Sequence, residues 1–188
     1  MPFGQDRECG TDIPPTVMKC PLCNHENIEG ADQCARCNAD LVDPGRLKER
    51  SDIEMDLLHR PFGELAAHDY AVVSPDVSVR EVVRRLNENG HHCAIVLAGD
   101  EIAGIFTERD ILYKLADQFE ARADAPVSDY MTPHPEALGY DDPVAFGLNR
   151  MMVGGYRHIP VKRDGKLAGV VSVRDILGYM LDRFGECS

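Results

Sequence analysis

Two Cys-x2-Cys pairs, Cys20 with Cys23 and Cys34 with Cys37, stand ten residues apart near the N-terminus. Each pair can present two thiolates to one ion, and a tetrahedral set of four soft sulfur ligands selects zinc over harder metals. Four protein ligands also close the coordination sphere, which leaves no position for a catalytic water and makes the expected role structural. A redox pair or an iron site are the alternatives; two such pairs flanking a polar loop favour structural zinc. A second pattern occurs twice, as Gly104-Ile-Phe-Thr107-Glu-Arg109-Asp110 and as Gly169-Val-Val-Ser172-Val-Arg174-Asp175. Thr-x-x-Asp and Ser-x-x-Asp where a strand runs into a helix are good helix caps and need no ligand. The same geometry offers free amides and a hydroxyl to a phosphate, and a carboxylate to both hydroxyls of a ribose. Both readings stand at this level. No nucleophile–base constellation accompanies them, so the chain is not expected to be an enzyme.

The elements that position the second pattern are repeated with it. Gly90–Leu112 aligns on Gly155–Leu177 without a gap, at an offset of 65 (155 less 90). Identical pairs include Val96/Val161, Gly104/Gly169, Arg109/Arg174, Asp110/Asp175 and Leu112/Leu177. Each copy reads as helix, strand, turn, strand, helix. Ser78-Val-Arg-Glu81 is a capping box opening a helix with Val79, Val82, Val83 and Leu86 on one face. In the second copy Asp142 is expected to cap and Pro143 to take the first helical position. CAIVLA and HIPVKR are short strands, and Gly99-Asp100 and Asp164-Gly165 suit the tight turns that send the chain back through IAGIFT and LAGVVS. Ile111, Leu112 and Leu115, and then Ile176, Leu177 and Met180, lie at helical spacing. Neither copy is large enough to bury a sufficient core alone, so the two are expected to pack as one α/β (α+β) body.

The remaining residues bound the answer. The 188-residue chain carries a formal net charge of −12, which argues against general affinity for nucleic acid or an anionic membrane. No apolar run approaches a membrane span, and the N-terminus lacks the features of a secretory signal, so a cytoplasmic protein without disulfides is expected. The expected organisation is a loose tail over 1–17, a zinc segment over 18–42, a linker helix over 43–60, and repeats over 61–120 and 121–188. The linker carries only a thin apolar stripe, Leu47, Ile53, Leu57 and Leu58, and a plain solvated connection fits it nearly as well. Cys93 falls inside a strand and reads as packing rather than a reactive thiol.

The cysteine segment resembles a short zinc ribbon of the CPxCGxxN…CxxCG type, with Asn24 and Asn38 where glycine is usual. Nothing basic or aromatic surrounds it, which favours protein docking or stability over nucleic-acid binding. The repeat resembles a tandem pair of cystathionine-β-synthase (CBS) domains, a Bateman module, through Ser128–Thr132 (SDYMT), Gly155–Val161 (GYRHIPV) and the two Gly…[Ser/Thr]-x-x-Asp motifs. That resemblance implies a pseudo-twofold body with two clefts for adenosyl ligands: AMP, ADP, ATP or S-adenosylmethionine. It implies that Asp110 and Asp175 hold ribose hydroxyls and that Thr107 and Ser172 contact ribose or phosphate. Arg109, Arg174, Arg157 and His158 would face phosphate. It also implies a flat homodimer. The first copy departs from the pattern, with His91-His92-Cys93 where the second has Tyr156-Arg157-His158, and Ala66-Ala67-His68-Asp69 where it has Met131-Thr132-Pro133-His134. With Arg157 and His158 in its own copy, the cleft of Asp175 is expected to bind more tightly than that of Asp110, unless one cleft draws on both copies. The function expected is a non-catalytic sensor that signals to a partner. The rivals are a docking protein with degenerate clefts and a nucleic-acid-binding regulator that uses the ribbon.

Overall fold

The computed structural model describes residues 17–28, 31–41 and 52–185. The expected tail up to residue 16 and the linker from 43 to 51 lie outside them. The chain divides into two compact units, Met1–Lys48 and Glu49–Ser188. In the first, β1 (Val17–Lys19) pairs antiparallel with β2 (Glu26–Ile28), Met18 lying opposite Asn27.

The second unit opens with α1 (Asp52–His59), which packs on the body instead of running as a solvated linker. Leu57 and Leu58 are buried, and Asp56 accepts the Tyr179 hydroxyl and pairs with Arg60 (3.2 Å) and Arg183 (3.4 Å). The first copy then runs β3 (Ala71–Val73), α2 (Val79–Asn89), β4 (Cys93–Ala98) and β5 (Glu101–Thr107). β3 is parallel to β4, as a crossover helix requires, and β4 is antiparallel to β5 across the Gly99 turn. Ser78 Oγ caps α2 by accepting the Glu81 N–H (3.3 Å), while the Glu81 carboxylate pairs with Arg84 and Arg85 rather than closing the box. Val79, Val82 and Leu86 on one face of α2 pack with Ala94, Val96 and Phe106 into the core of this copy.

Beyond Thr107 the two copies diverge. α3 (Glu108–Asp110) passes into a wider π turn over Ile111–Leu115, a 3-10 turn over Ala116–Gln118 and α4 (Phe119–Arg122). The second copy runs β7 (Leu138–Gly139), α5 (Val144–Gly154), β8 (His158–Arg163) and β9 (Lys166–Ser172), and ends in an unbroken α6 (Val173–Gly185). The N-cap position of α5 is Pro143 rather than the expected Asp142. α5 starts behind Pro143, whose backbone is still extended, and Asp142 Oδ2 accepts the Gly139 N–H (2.8 Å) across the preceding turn. Both α2 and α5 stop at a glycine in the left-handed region, Gly90 and Gly155, each with φ 66°.

The copies exchange their lead-in segments. β6 (Thr132–Pro133), which precedes the second copy in sequence, pairs with β5 of the first, Thr132 opposite Ile105. Reciprocally, Ala67 pairs with Val170 on β9. Both crossings need a glycine: a Cβ on Gly104 would stand 2.2 Å from Met131 Sδ, and one on Gly169 would stand 2.8 Å from the Ala66 Cβ. A second cluster, Cys93, Ile95, Ile105 and Val170, joins the copies from behind. The result is the tandem βαββα body that the repeat implied, with two clefts that each draw on both copies.

Candidate functional site

Three places gather chemistry. In the N-terminal unit the four sulfurs of Cys20, Cys23, Cys34 and Cys37 lie within 4.8 Å of one another, and all four residues are buried. They are held by two equivalent knuckles. Cys20 N–H donates to His25 O (2.8 Å) and Asn24 N–H to Cys20 O (2.9 Å); Cys34 N–H donates to Ala39 O (2.8 Å) and Asn38 N–H to Cys34 O (2.9 Å). Asn24 and Asn38 take φ 55° and 56°, the left-handed turn for which asparagine substitutes for glycine. The Asn27 side chain is buried between the knuckles. Its Nδ2 donates to His25 O (2.9 Å) and Cys34 Sγ (3.6 Å), and its Oδ1 accepts from Ala35 N–H (2.9 Å). Burial, the largest single influence on Cys34, pushes its thiol up, but the Cys37 and Arg36 amides and the Asn27 donor outweigh it and bring it down to about 6. Burial pushes Cys23 up to about 11 and Cys37 higher still. Four sulfurs about 2.3 Å from one ion would lie roughly 3.8 Å apart, so the cluster fits a tetrahedral sulfur-bound cation, whose charge would bring the reluctant thiols to thiolates.

Cleft one, a cavity of about 300 Å³, lies between the copies. The first copy contributes Thr107, Glu108, Arg109 and Asp110, from the end of β5 and the start of α3. The exchanged segment contributes Thr132, Pro135 and Glu136, and the approach to β8 adds Tyr156, Arg157 and His158. Asp110 is buried, and its Oδ2 accepts both the N–H and the hydroxyl of Thr107 (2.9 Å each). Its Oδ1 accepts from Lys114 Nζ (2.7 Å) and Thr132 Oγ1 (3.3 Å). Lys114 also donates to the Tyr130 and Met131 carbonyls, which ties the carboxylate to the exchanged segment. Arg109 Nη1 donates to Gly155 O (3.0 Å), joining the copies a second time.

Cleft two is smaller, about 100 Å³, and is lined by Ser172, Arg174 and Asp175 with Asp69, Tyr70 and Cys93. The capping geometry repeats: Asp175 Oδ2 accepts from both Ser172 N–H and Ser172 Oγ (2.6 Å each). What differs is the wall. At the offset of 65, Tyr70 stands where cleft one has Pro135, and Ala67 where it has Thr132. Burial pushes the Cys93 thiol up to about 12, so it is a packed thiol as its strand position suggested. His92 and His158 line both clefts. Burial, reinforced by the neighbouring His92, holds His158 below the usual imidazole range.

Comparison with known proteins then decides the family. The CBS domain profile matches residues 62–117 and again 127–182, more than half of the chain. The chain belongs to the CBS-domain family. A 17.7 kDa protein of Acidianus ambivalens is 33% identical over 121 residues, which are 63% of this chain and 72% of that one. The Arabidopsis thaliana CBS domain-containing protein CBSCBSPB1 is 33% identical over 102 residues, 54% of this chain but only 19% of that protein. Among solved CBS structures, ATU1752 of Agrobacterium tumefaciens superposes with a TM-score of 0.59 at 28% identity, covering 64% of this chain and 99% of that one. PAE2072 of Pyrobaculum aerophilum, solved in complex with AMP, gives 0.55 at 28% identity over 62% of this chain and 89% of that one.

Within this CBS pair the structure brings Thr107, Arg109, Asp110, Arg157 and His158 together around cleft one, and Ser172, Arg174 and Asp175 with His158 around cleft two. The expectation that Arg157 furnishes the cleft of Asp175 is therefore corrected: Arg157 lines the other, larger cleft. Thr132, Glu108, Glu136 and Lys114 escaped the sequence reading as site residues. Thr132 sits inside the SDYMT motif that carried the resemblance, Glu108 lies within the repeated Gly…[Ser/Thr]-x-x-Asp motif and Lys114 four residues beyond Asp110; for Glu136 only the exchange of lead-in segments reveals the neighbourhood.

Proposed function

We propose that this CBS pair is a non-catalytic sensor that binds one adenosyl ligand, AMP in the first instance, in cleft one. The observation that carries the reading is a cavity that faces the Asp110 carboxylate with Arg157 and His158 from the other copy. In this reading Asp110 holds the ribose hydroxyls, and Thr107 contacts ribose or phosphate. Arg157, His158 and Arg109 receive the phosphate through charge-assisted hydrogen bonds. The AMP complex of PAE2072 supports an adenylate. Glu108 lines the same cavity and favours a ligand of low charge over ATP, whereas the Glu136 carboxylate is paired with Arg150. Ser172, Asp175 and Arg174 form a second, cramped site, for which AMP is too large unless the wall of Tyr70 moves. The four-cysteine unit holds one structural zinc and is a docking point for a protein partner in the cytoplasm. Leu112 and Leu177, exposed at equivalent positions on the two closing helices, support a homodimer. No helix among the described residues is long and apolar enough to cross a membrane.

Titration calorimetry with AMP, ADP, ATP and S-adenosylmethionine tests the sensor reading, with tightest binding expected for AMP at one site per chain. Absence of binding by all four would leave the docking role. Metal analysis of reduced protein should find one zinc per chain, and sedimentation equilibrium should find a dimer at tens of micromolar, a range that reveals micromolar interfaces.

A further inference from the structure

His92 sits where the two clefts meet, and its two ring nitrogens face different ones. Nδ1 lies 3.0 Å from Glu108 Oε1, which lines cleft one alone, and Nε2 lies 2.5 Å from Arg174 Nη1, which lines cleft two alone. A guanidinium has only donors and an ionised carboxylate only acceptors. The ring must therefore be the neutral tautomer, accepting from Arg174 at Nε2 and donating to Glu108 from Nδ1. A directed chain of hydrogen bonds, Arg174 to His92 to Glu108, thus runs from one cleft to the other. The other charged or titratable groups that line the two clefts are Arg109, Asp110, Tyr113, Glu136, Tyr156 and Arg157 in cleft one, Asp69, Tyr70, Cys93 and Asp175 in cleft two, and His158 in both.

We propose, taking the nucleotide reading of cleft one as the ground, that His92 couples the two clefts, so that a phosphate seated in cleft one releases Arg174 into cleft two. An anion beside Glu108 favours a second proton on His92. The imidazolium that results can no longer accept from Arg174 and repels it as a like charge. The freed guanidinium is then available to an anion in cleft two. The coupling is positive and, like any linkage between binding equilibria, reciprocal.

The first measurement needs no nucleotide. Long-range 1H–15N correlation spectra of the full chain, with His92 assigned through His92→Gln, report the state of each ring nitrogen. His92 is expected to show a protonated Nδ1 and an acceptor Nε2, and both Arg174→Ala and Glu108→Ala are expected to unlock that pattern. A ring that averages between tautomers in the unsubstituted chain, or one indifferent to both changes, overturns the hydrogen-bond chain. The second measurement is calorimetry with AMP. Arg174→Ala removes a cation near a bound anion, so Coulomb attraction alone requires weaker binding in cleft one. Release of Nε2 requires tighter binding, by about fivefold at the lower end of typical couplings, and the gain should vanish in the His92→Gln background. Unchanged or weaker AMP binding by Arg174→Ala overturns the coupling. If the unsubstituted chain binds no AMP, the nucleotide reading falls, whereas the hydrogen-bond chain stands or falls by the spectra.

Discussion

Cleft one and cleft two are built on the same few residues and are not the same site. Each has a carboxylate whose Oδ2 is fixed by the amide and hydroxyl three residues earlier, at 2.9 Å in cleft one and 2.6 Å in cleft two. The motif therefore sets a helix start and a carboxylate position in both copies, and it does not set the ligand. In the sensor reading proposed above, the ligand would be set by what crosses from the other copy. Thr132, Pro135 and Arg157 leave room and a guanidinium in cleft one, whereas Asp69, Tyr70 and His92 leave about 100 Å³ in cleft two. Oδ2 serves the cap at both sites, so in the sensor reading the ribose role falls to the remaining capacity of Asp110, in the larger of the two clefts.

The largest expected effect separates the two carboxylates. Asp110→Ala should weaken AMP binding about a hundredfold or more, the loss of two charge-assisted hydrogen bonds at about 1.5–3 kcal/mol each. Asp175→Ala should change it less than about threefold while losing the same cap, a stability cost of about 1 kcal/mol that serves as the internal control. Equal losses in both variants by calorimetry would mean that only the cap matters. Arg157→Ala should weaken AMP binding by about tenfold to a hundredfold, the range of one bidentate phosphate contact; an unaffected variant would place the phosphate elsewhere. Tyr70→Ala should enlarge cleft two and add a second, weak AMP site, raising the stoichiometry per chain from one to two. An unchanged stoichiometry would show that Tyr70 is not what closes it.

The smallest expected effect is on proton linkage. Burial holds His158 below the ordinary imidazole range in the folded chain, with His92 and Arg174 acting in the same sense and Asp175 and Glu108 opposing them. The unfolded chain therefore binds this proton at higher pH than the folded one. The stability tied to neutral His158 is fully present above about pH 6.5, the unfolded value, and is lost as pH falls through the lower folded value. A phosphate in cleft one favours the charged ring, so AMP binding should take up a fraction of a proton near the acid side of neutrality. Calorimetry in buffers of different ionisation enthalpy measures that uptake, and His158→Gln should reduce it to the part taken up at His92.

Much of this was legible before any coordinates. The offset of 65 fixed two copies, and alternation with turn dipeptides placed β4, β5, β8 and β9 within a residue of where they lie. Such strands announce themselves because one face is buried and register is dictated by it. The spacing of four cysteines placed the sulfur cluster for a similar reason: the knuckle is local. The exchange of lead-in segments was not legible, because β6 has two residues and Ala67 pairs through a single bridge, too short for any periodicity. That is why the sequence alone groups Arg157 with Asp175, leaving the crossing between copies as the alternative that the structure takes. The π turn at Ile111–Leu115 also escaped, since the spacing of Ile111, Leu112 and Leu115 suits an ordinary helix equally well. Docking of α1 is foreshadowed by the apolar Leu57 and Leu58, which are buried, but the Tyr179–Asp56 contact that joins it to the far end of the chain leaves no local trace in the sequence.

The exchanged segments also order events in time. The carboxylate of cleft one belongs to the first copy, yet Thr132 and Arg157 must emerge from the ribosome before its walls exist. Ala67 and Tyr70, translated far earlier, wait for Val170 and Asp175. A chain made at roughly 5–20 residues per second thus carries Ala67 and the outer edge of β5 unpaired for several seconds. Pairings so distant along the chain slow folding. A single repeat cut out and expressed alone would keep both edges open and be prone to pair with a second copy of itself.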